Sequence, residues 1–339
     1  MRYIGSKQAL LTILSEEIVS RSPASGTFCD LFAGSVAVSR HFKGLGYNII
    51  SNDIMRFSYF LQVATVELNS IPRFDNLNVN PIDFLNSMDI ENFDFVKPKF
   101  ATRHYAPNEN SLTNYFTLDN ANRIDAVRQQ IEVWLSNKEI DKFEHAYLIA
   151  ALIEALPFVS NTTGTYGAYL KKWDKRAFKS LTLLDHEITD NVMDNSCYCK
   201  DANHLVKEIE GQILYIDPPY NGRQYGSNYH VLETIARYDN PDVKGITSMR
   251  DNSDVRSKYC MKSQAENALN DLIANASFEN IFLSYSTDGI LSAPKIREIF
   301  ERHCISGSVE LVKIPYRRYK RIKTEKSEQL FELLFVGKK

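Results

Sequence analysis

The sequence is sparing with glycine, 14 residues in 339, and nowhere carries the spacing GxGxxG. A pyrophosphate-binding turn needs glycines at those points so that backbone can approach the phosphates. NAD or FAD chemistry is therefore poorly supported. No uninterrupted apolar run reaches the roughly 20 residues that cross a bilayer. The first stretch, MRYIGSKQALLTILSEEIVS, turns polar too early for a secretory signal. The five cysteines are Cys29, Cys197, Cys199, Cys260 and Cys304. An odd number with a single close pair makes neither a disulfide framework nor a zinc site, even with His204 nearby. Reduced thiols, no metal, no membrane and a cytoplasmic location are expected. Charge of one sign is also missing: 40 Lys and Arg against 42 Asp and Glu give −2. Any nucleic-acid contact then has to come from local patches.

What is present is a globular composition, 44% apolar with 19 Phe and 18 Tyr, long enough for two domains. Apolar spacing predicts a helix over 8–19, with Ser6 as its cap. A strand follows at 26–32, then a glycine turn and a helix stopped near Gly44 or Gly46. A second strand at 47–53 and a helix at 54–68 complete a βαβα start, the grammar of a layered α/β domain. Residues 72–110 lack periodicity and read mostly as loop. Helices return at 120–136 and 142–156, followed by a turn-rich, aromatic and basic stretch at 157–179. The α/β pattern resumes after 192. A strand end and helix fall in 197–211 and a strand at 212–220. A helix is expected at 264–276, a strand and turn at 280–289 and a helix at 294–303. The end reads as two strands joined by a basic loop.

The stretch ILYIDPPYNGRQYG, 213–226, ends an apolar strand in an acid, two prolines and a tyrosine. Pro218 and Pro219 stop sheet pairing. Asp217, the Pro218 carbonyl and the Tyr220 ring can face one ligand, or the turn can be merely rigid. In open α/β sheets ligands bind beyond the carboxyl ends of the strands, where Asp30, Gly34, Asp53 and Asp217 can all lie. Asp53 ends the second strand and suits ribose hydroxyls, or a helix cap. A nucleoside without pyrophosphate fits this set better than a dinucleotide. Two basic runs stand out. Residues 313–326 hold seven Lys or Arg, and Lys171, Lys172, Lys175, Arg176 and Lys179 form the other. Either can touch phosphates or simply be solvated.

The segments MRYIGSK (1–7), DLFAGSVAVS (30–39), SND (51–53), KDANHLV (200–206) and ILYIDPPYNGRQYG, in that order, resemble the D12, or Dam-like, class of DNA adenine-N6 methyltransferases. NTTGTYGAYLKKW (161–173) is similar to the recognition region of restriction-modification members. The resemblance covers nearly the whole chain. It implies a Rossmann-like S-adenosylmethionine-dependent methyltransferase sheet, in 1–70 and 192–339, with an inserted, mainly helical target-recognition domain at 71–191.

By the same resemblance, Tyr3 and Lys7 look like contacts to the methionine part of S-adenosyl-L-methionine, with Phe32, Gly34 and Ser35 beside it. Asp53 looks like the ribose ligand, and Asp201 with Ala202 resembles the adenine-reading position. "FAGS" has less glycine than many relatives' loops. Asp217, Pro218, Pro219 and Tyr220 look like the catalytic set around a flipped-out adenine. Contacts to double-stranded DNA are expected from Asn161, Thr162, Thr163, Tyr166, Lys171, Lys172, Arg223, Tyr229, Arg317, Arg318, Lys320 and Arg321. A monomer and a separate cognate restriction endonuclease complete the expectation. The other readings are methylation of RNA or a protein glutamine, and a silent DNA-binding module.

Overall fold

The computed structural model describes residues 3–109, 111–315 and 331–339. Its strands are β1 (Thr27–Asp30), β2 (Asn48–Asn52), β3 (Ser196–Tyr198), β4 (Glu210–Ile216), β5 (Val243–Lys244), β6 (Met249–Arg250), β7 (Ser277–Ser286), β8 (Glu310–Pro315) and β9 (Phe331–Lys338). Seven of these make one sheet in the order β3-β2-β1-β4-β7-β9-β8, and β5 pairs with β6 in a small hairpin. β1 pairs in parallel with β2 and β4, β2 with β3, and β4 with β7. Among the described strands of this sheet, only β9 runs against its neighbours, β7 and β8. The result is a mixed α/β fold around a large, mostly parallel sheet.

Strand parity builds two cores. Side chains alternate across a pleated strand. Phe28, Ile213 and Tyr215 face one apolar cluster, while Cys29, Leu214 and Ile216 face the other. All six are fully buried, as a sheet covered on both faces requires. Helices α1 (Leu11–Val19), α2 (Ala37–Gly44) and α3 (Arg56–Gln62) come from the first part of the chain. The middle supplies α4 (Pro81–Ser87), α5 (Phe100–Tyr105), α6 (Leu118–Ser136) and α7 (Lys142–Val159). Side chains of α6 and α7, such as Ile124 and Leu148, share the first cluster with Phe28 and Ile49. The second cluster holds α8 (Ala202–Leu205), α11 (Ala265–Asn275) and α12 (Ala293–His303); α9 (Tyr225–Asn228) and α10 (His230–Arg237) follow β4.

Several elements differ from expectation. Residues 72–110 are not mainly loop, because Asn80 caps α4 through the Asp83 N–H with Pro81 at its first position, and α5 follows. The helix expected at 54–68 is α3 continued by a π-helical turn, Val63–Glu67. α7 runs through Pro157 to Val159, three residues past the expected end. The 8–19 helix opens with a 3-10 turn, Lys7–Leu10, whose cap is Ser6 as expected. All five cysteines are free thiols. Among the described residues no helix is long and apolar enough to cross a membrane.

Candidate active site

Chain order sets the position of the site. From β1 the sheet grows one way through β2 and β3, and from β4 the other way through β7. A cleft opens at such a reversal, beyond the carboxyl ends of the two central strands. Here those ends deliver Asp30 and Asp217. The cleft is lined by Tyr3, Lys7, Gly34, Asp53, Asp201 and Asp217, among others.

The turn after β1 approaches Tyr3 too closely at Gly34 to admit a side chain there. Gly34 has φ +49, and a Cβ there would stand 2.8 Å from the Tyr3 ring. Its N–H donates to Asp53 Oδ2 at 2.8 Å, and Met55 N–H donates to Oδ1 at 2.8 Å. Phe32 meets Tyr259 edge-on at 5.2 Å, and Ser35 Oγ donates to Ser6 Oγ at 3.1 Å. Asp30 accepts from Ser39 N–H and Oγ at the start of α2. Asp201 caps α8 through Asn203 and His204 N–H, with Ala202 buried behind it.

Burial dominates the electrostatics. It pushes the Asp30 carboxyl up to about 7, partly opposed by the Ser39 hydrogen bonds. It pushes Asp53 up to about 6 against the Met55 and Gly34 N–H groups. Asp217 also rises to about 6 through burial, against the opposing Lys7 ammonium. Acids crowded at a half-closed cleft fit a cationic ligand.

The amino-terminal segment is clamped over the cleft by aromatics. Tyr3 stacks on Tyr229 at 4.6 Å and on Tyr225 at 5.6 Å. Ile4 N–H donates to Tyr229 Oη, and Tyr225 Oη donates to the Ile4 carbonyl. Tyr220 meets Tyr285 edge-on at 6.2 Å, and its carbonyl accepts from Ile290 N–H. Pro219 lines the cleft and Pro218 is buried.

The structure corrects several expectations. Lys7, expected at the methionine side of the cofactor, does line the cleft, with its ammonium 2.8 Å from Asp217 Oδ1 and 3.1 Å from Glu332 Oε1. Tyr229 is fully buried under Tyr3, so it supports the cleft rather than facing a partner. Asn161, Thr162 and Tyr166 are also buried. Asn161 spends its amide on the Leu170 carbonyl and Asp174 N–H, which folds the turn. The Thr162 hydroxyl meets Ser160 and Gly164 within the same turn. Tyr166 is anchored through its backbone, donating N–H to the Asn228 carbonyl at 2.6 Å. That bond ties the 161–173 stretch to the segment after Asp217. Arg176 is held by Asp174 and the Thr162 carbonyl, leaving Lys171, Lys172, Lys175 and Lys179 exposed in that run. Thr163 and Arg223 are exposed too. Arg317, Arg318, Lys320 and Arg321 lie outside the described residues.

Sequence reasoning missed Tyr259 and Glu332. Glu332 did leave a signal, as the lone acid in the apolar strand FELLFVG.

The family description "D12 class N6 adenine-specific DNA methyltransferase" matches residues 3–299. The chain is 43% identical over 341 residues to the type II methyltransferase M.FokI of Planomicrobium okeanokoites, covering 100% of this chain and 53% of that one. It is 42% identical over 340 residues to the modification methylase StsI of Streptococcus sanguinis, covering 99% and 51%. It is 40% identical over 349 residues to the type II methyltransferase M.NlaIII of Neisseria lactamica, covering 100% and 99%. The chain thus spans about half the length of the first two relatives and nearly all of the third.

Proposed function

The chain belongs to the D12 class of N6 adenine-specific DNA methyltransferases, and from that premise we propose that it methylates adenine N6 at one short site in double-stranded DNA, as the modification enzyme of a restriction-modification system. The observation that carries the reading is Asp217, a partly buried acid delivered by the end of β4 into the cleft at the sheet's reversal point. S-adenosyl-L-methionine, when bound, supplies a methyl group on a cationic sulfur.

The residues fit that donor. The acidic cleft suits its charge, and Gly34 gives backbone access where a Cβ would collide with Tyr3. Phe32, Gly34, Ser35 and Tyr3 flank its methionine part, Asp53 accepts from ribose, and Asp201 with Ala202 faces the adenine. Lys7 acts on the methionine side only by way of its pair with Asp217.

The obstacle on the DNA side is the amine, whose lone pair is delocalised into the base. Asp217 and the Pro218 carbonyl accept its two hydrogens, which favours a pyramidal nitrogen and stabilises the charge developing on it. Proline brings no competing N–H. Tyr220 stacks on the base after it leaves the helix, offsetting part of the few kcal/mol that extrusion costs. Direct transfer forms no covalent enzyme intermediate, so no cysteine takes part, and the proton that the methylated N6 must lose passes to Asp217 and on to water. Residues 71–191 act as the target-recognition region, with Thr163, Lys171, Lys172 and Arg223 toward DNA. Asn161, Thr162, Tyr166 and Tyr229 shape that surface from below. The enzyme works as a cytoplasmic monomer, beside a separate nuclease of the same specificity.

The test is transfer of labelled methyl from S-adenosyl-L-methionine to mixed-sequence DNA, with base analysis and site mapping, in parallel with Asp217→Ala. N6-methyladenine at one motif, lost in the variant, is the expected result. Label on RNA or on a glutamine amide, with none on DNA, overturns the substrate class. Donor binding without product anywhere overturns the enzyme.

A further inference from the structure

A buried charge cluster joins the two ends of the described chain behind the reaction centre. Lys7 stands in the first turn, Asp217 follows β4, and Glu332 enters from β9. Lys7 and Glu332 are each 6% exposed. The Lys7 ammonium donates to Asp217 Oδ1 at 2.8 Å and lies 3.1 Å from Glu332 Oε1. Glu332 also accepts from Ser284 Oγ on the neighbouring strand β7, which fixes it in place. Lys7 and Asp217 line the cleft, and Glu332 lies behind them.

Two carboxylates share one ammonium, so the cluster carries a surplus negative charge when all three are ionised. Removing charges from water costs several kcal/mol each unless they are compensated. A buried second acid is therefore expensive, and an apolar residue would be the expected occupant of this strand. Resting on the methyltransferase reading, we propose that Glu332 is a positioning residue. It holds Lys7 from behind, so the ammonium engages only one oxygen of Asp217 and leaves the other to accept from substrate. The surplus charge it creates favours the cationic methyl donor over the neutral thioether product.

The groups facing Asp217 are Lys7 from the first turn, Glu332 from β9, Tyr215 from β4, Tyr225 from α9, Tyr3 and Asp30. After burial and the opposing Lys7, Glu332 is the next influence on Asp217, and it raises the acid. Removing the charge of Glu332 while keeping its shape therefore moves Asp217 titration down in pH.

The experiment compares the parent with Glu332→Gln and Glu332→Asp. Asp217 is titrated by carboxyl-carbon NMR in the ligand-free proteins. Calorimetry gives affinities for S-adenosyl-L-methionine and S-adenosyl-homocysteine, and the acid limb of methyl transfer is recorded. Glu332→Gln should lower the Asp217 midpoint and shift the acid limb the same way. It should cut the donor-to-product affinity ratio roughly tenfold, the size expected for one partly screened charge. Glu332→Asp keeps the charge and should hold that ratio within about twofold. Equal losses in Gln and Asp, or an unmoved Asp217 midpoint in Gln, overturn the proposal. If the Gln protein does not fold, Glu332→Asp decides alone: a donor-to-product affinity ratio that changes more than about twofold with the charge kept overturns the proposal. A parent that binds no donor sinks the methyltransferase reading instead, which separates the two failures.

Discussion

Gly34 donates its backbone N–H to Asp53 Oδ2 at 2.8 Å, so the turn after β1 and the end of β2 are locked to each other before any ligand arrives. The left-handed backbone at Gly34 is as much part of that lock as the acid is. Gly34→Ala would place a methyl group 2.8 Å from the Tyr3 ring at φ +49. The backbone penalty is about 1 kcal/mol, and displacement of Tyr3 adds to it. We expect donor affinity to fall at least tenfold while the protein stays folded, read by calorimetry and thermal unfolding.

Donor binding should strengthen as pH rises from about 5 to 8. Burial raises Asp30 to about 7 and both Asp53 and Asp217 to about 6, so each is partly protonated at the acid end. A cation prefers the ionised forms. In the ligand-free chain the sign is opposite. Raised acids contribute stability that is full below their ordinary value of 3.8 and lost as pH climbs through 6 to 7. Asp217→Asn should therefore lose less stability than the parent between pH 5 and 8. Calorimetric Kd and urea midpoints across that range check both statements.

Tyr220 should tolerate phenylalanine better than alanine. Stacking on a base contributes about 1–3 kcal/mol, and phenylalanine retains the ring that also meets Tyr285. Tyr220→Ala should weaken retention of the extruded base by at least fivefold, and Tyr220→Phe by less than threefold. Fluorescence of 2-aminopurine at the target position reports it.

Asn161 and Lys171 should separate stability from DNA binding. Asn161→Ala removes side-chain bonds to Leu170 and Asp174 from a fully buried position, costing about 1–3 kcal/mol. Unfolding midpoints should fall with it. Lys171→Ala with Lys172→Ala should leave stability unchanged and weaken DNA binding about equally across sequences. The slope of log Kd against log salt should drop by about 2, one for each phosphate that a lysine no longer neutralises.

Much of this protein is legible in the chain alone. Local patterns settle β1, β2 and β4, because apolar residues at strand spacing end in acids and turn formers. Ser6 announces its own cap. The ordered motifs point to the family. What the sequence missed at 72–110 was two short helices, whose stability comes from packing of side chains such as Leu85 and Tyr105 into the core.

Tertiary structure alone decided which polar residues are spent on the fold. Asn161 and Tyr166 read as recognition residues, yet both are buried, Asn161 bonding within its own turn and Tyr166 tied to Asn228 far along the chain. The two acids that Lys7 meets were not legible, because they lie 210 and 325 residues away along the chain. Sequence specifies which groups can ionise or donate. The sheet order brings β4 beside β7, and β9 beside β7, and so determines that one ammonium meets two carboxylates in a place water scarcely reaches.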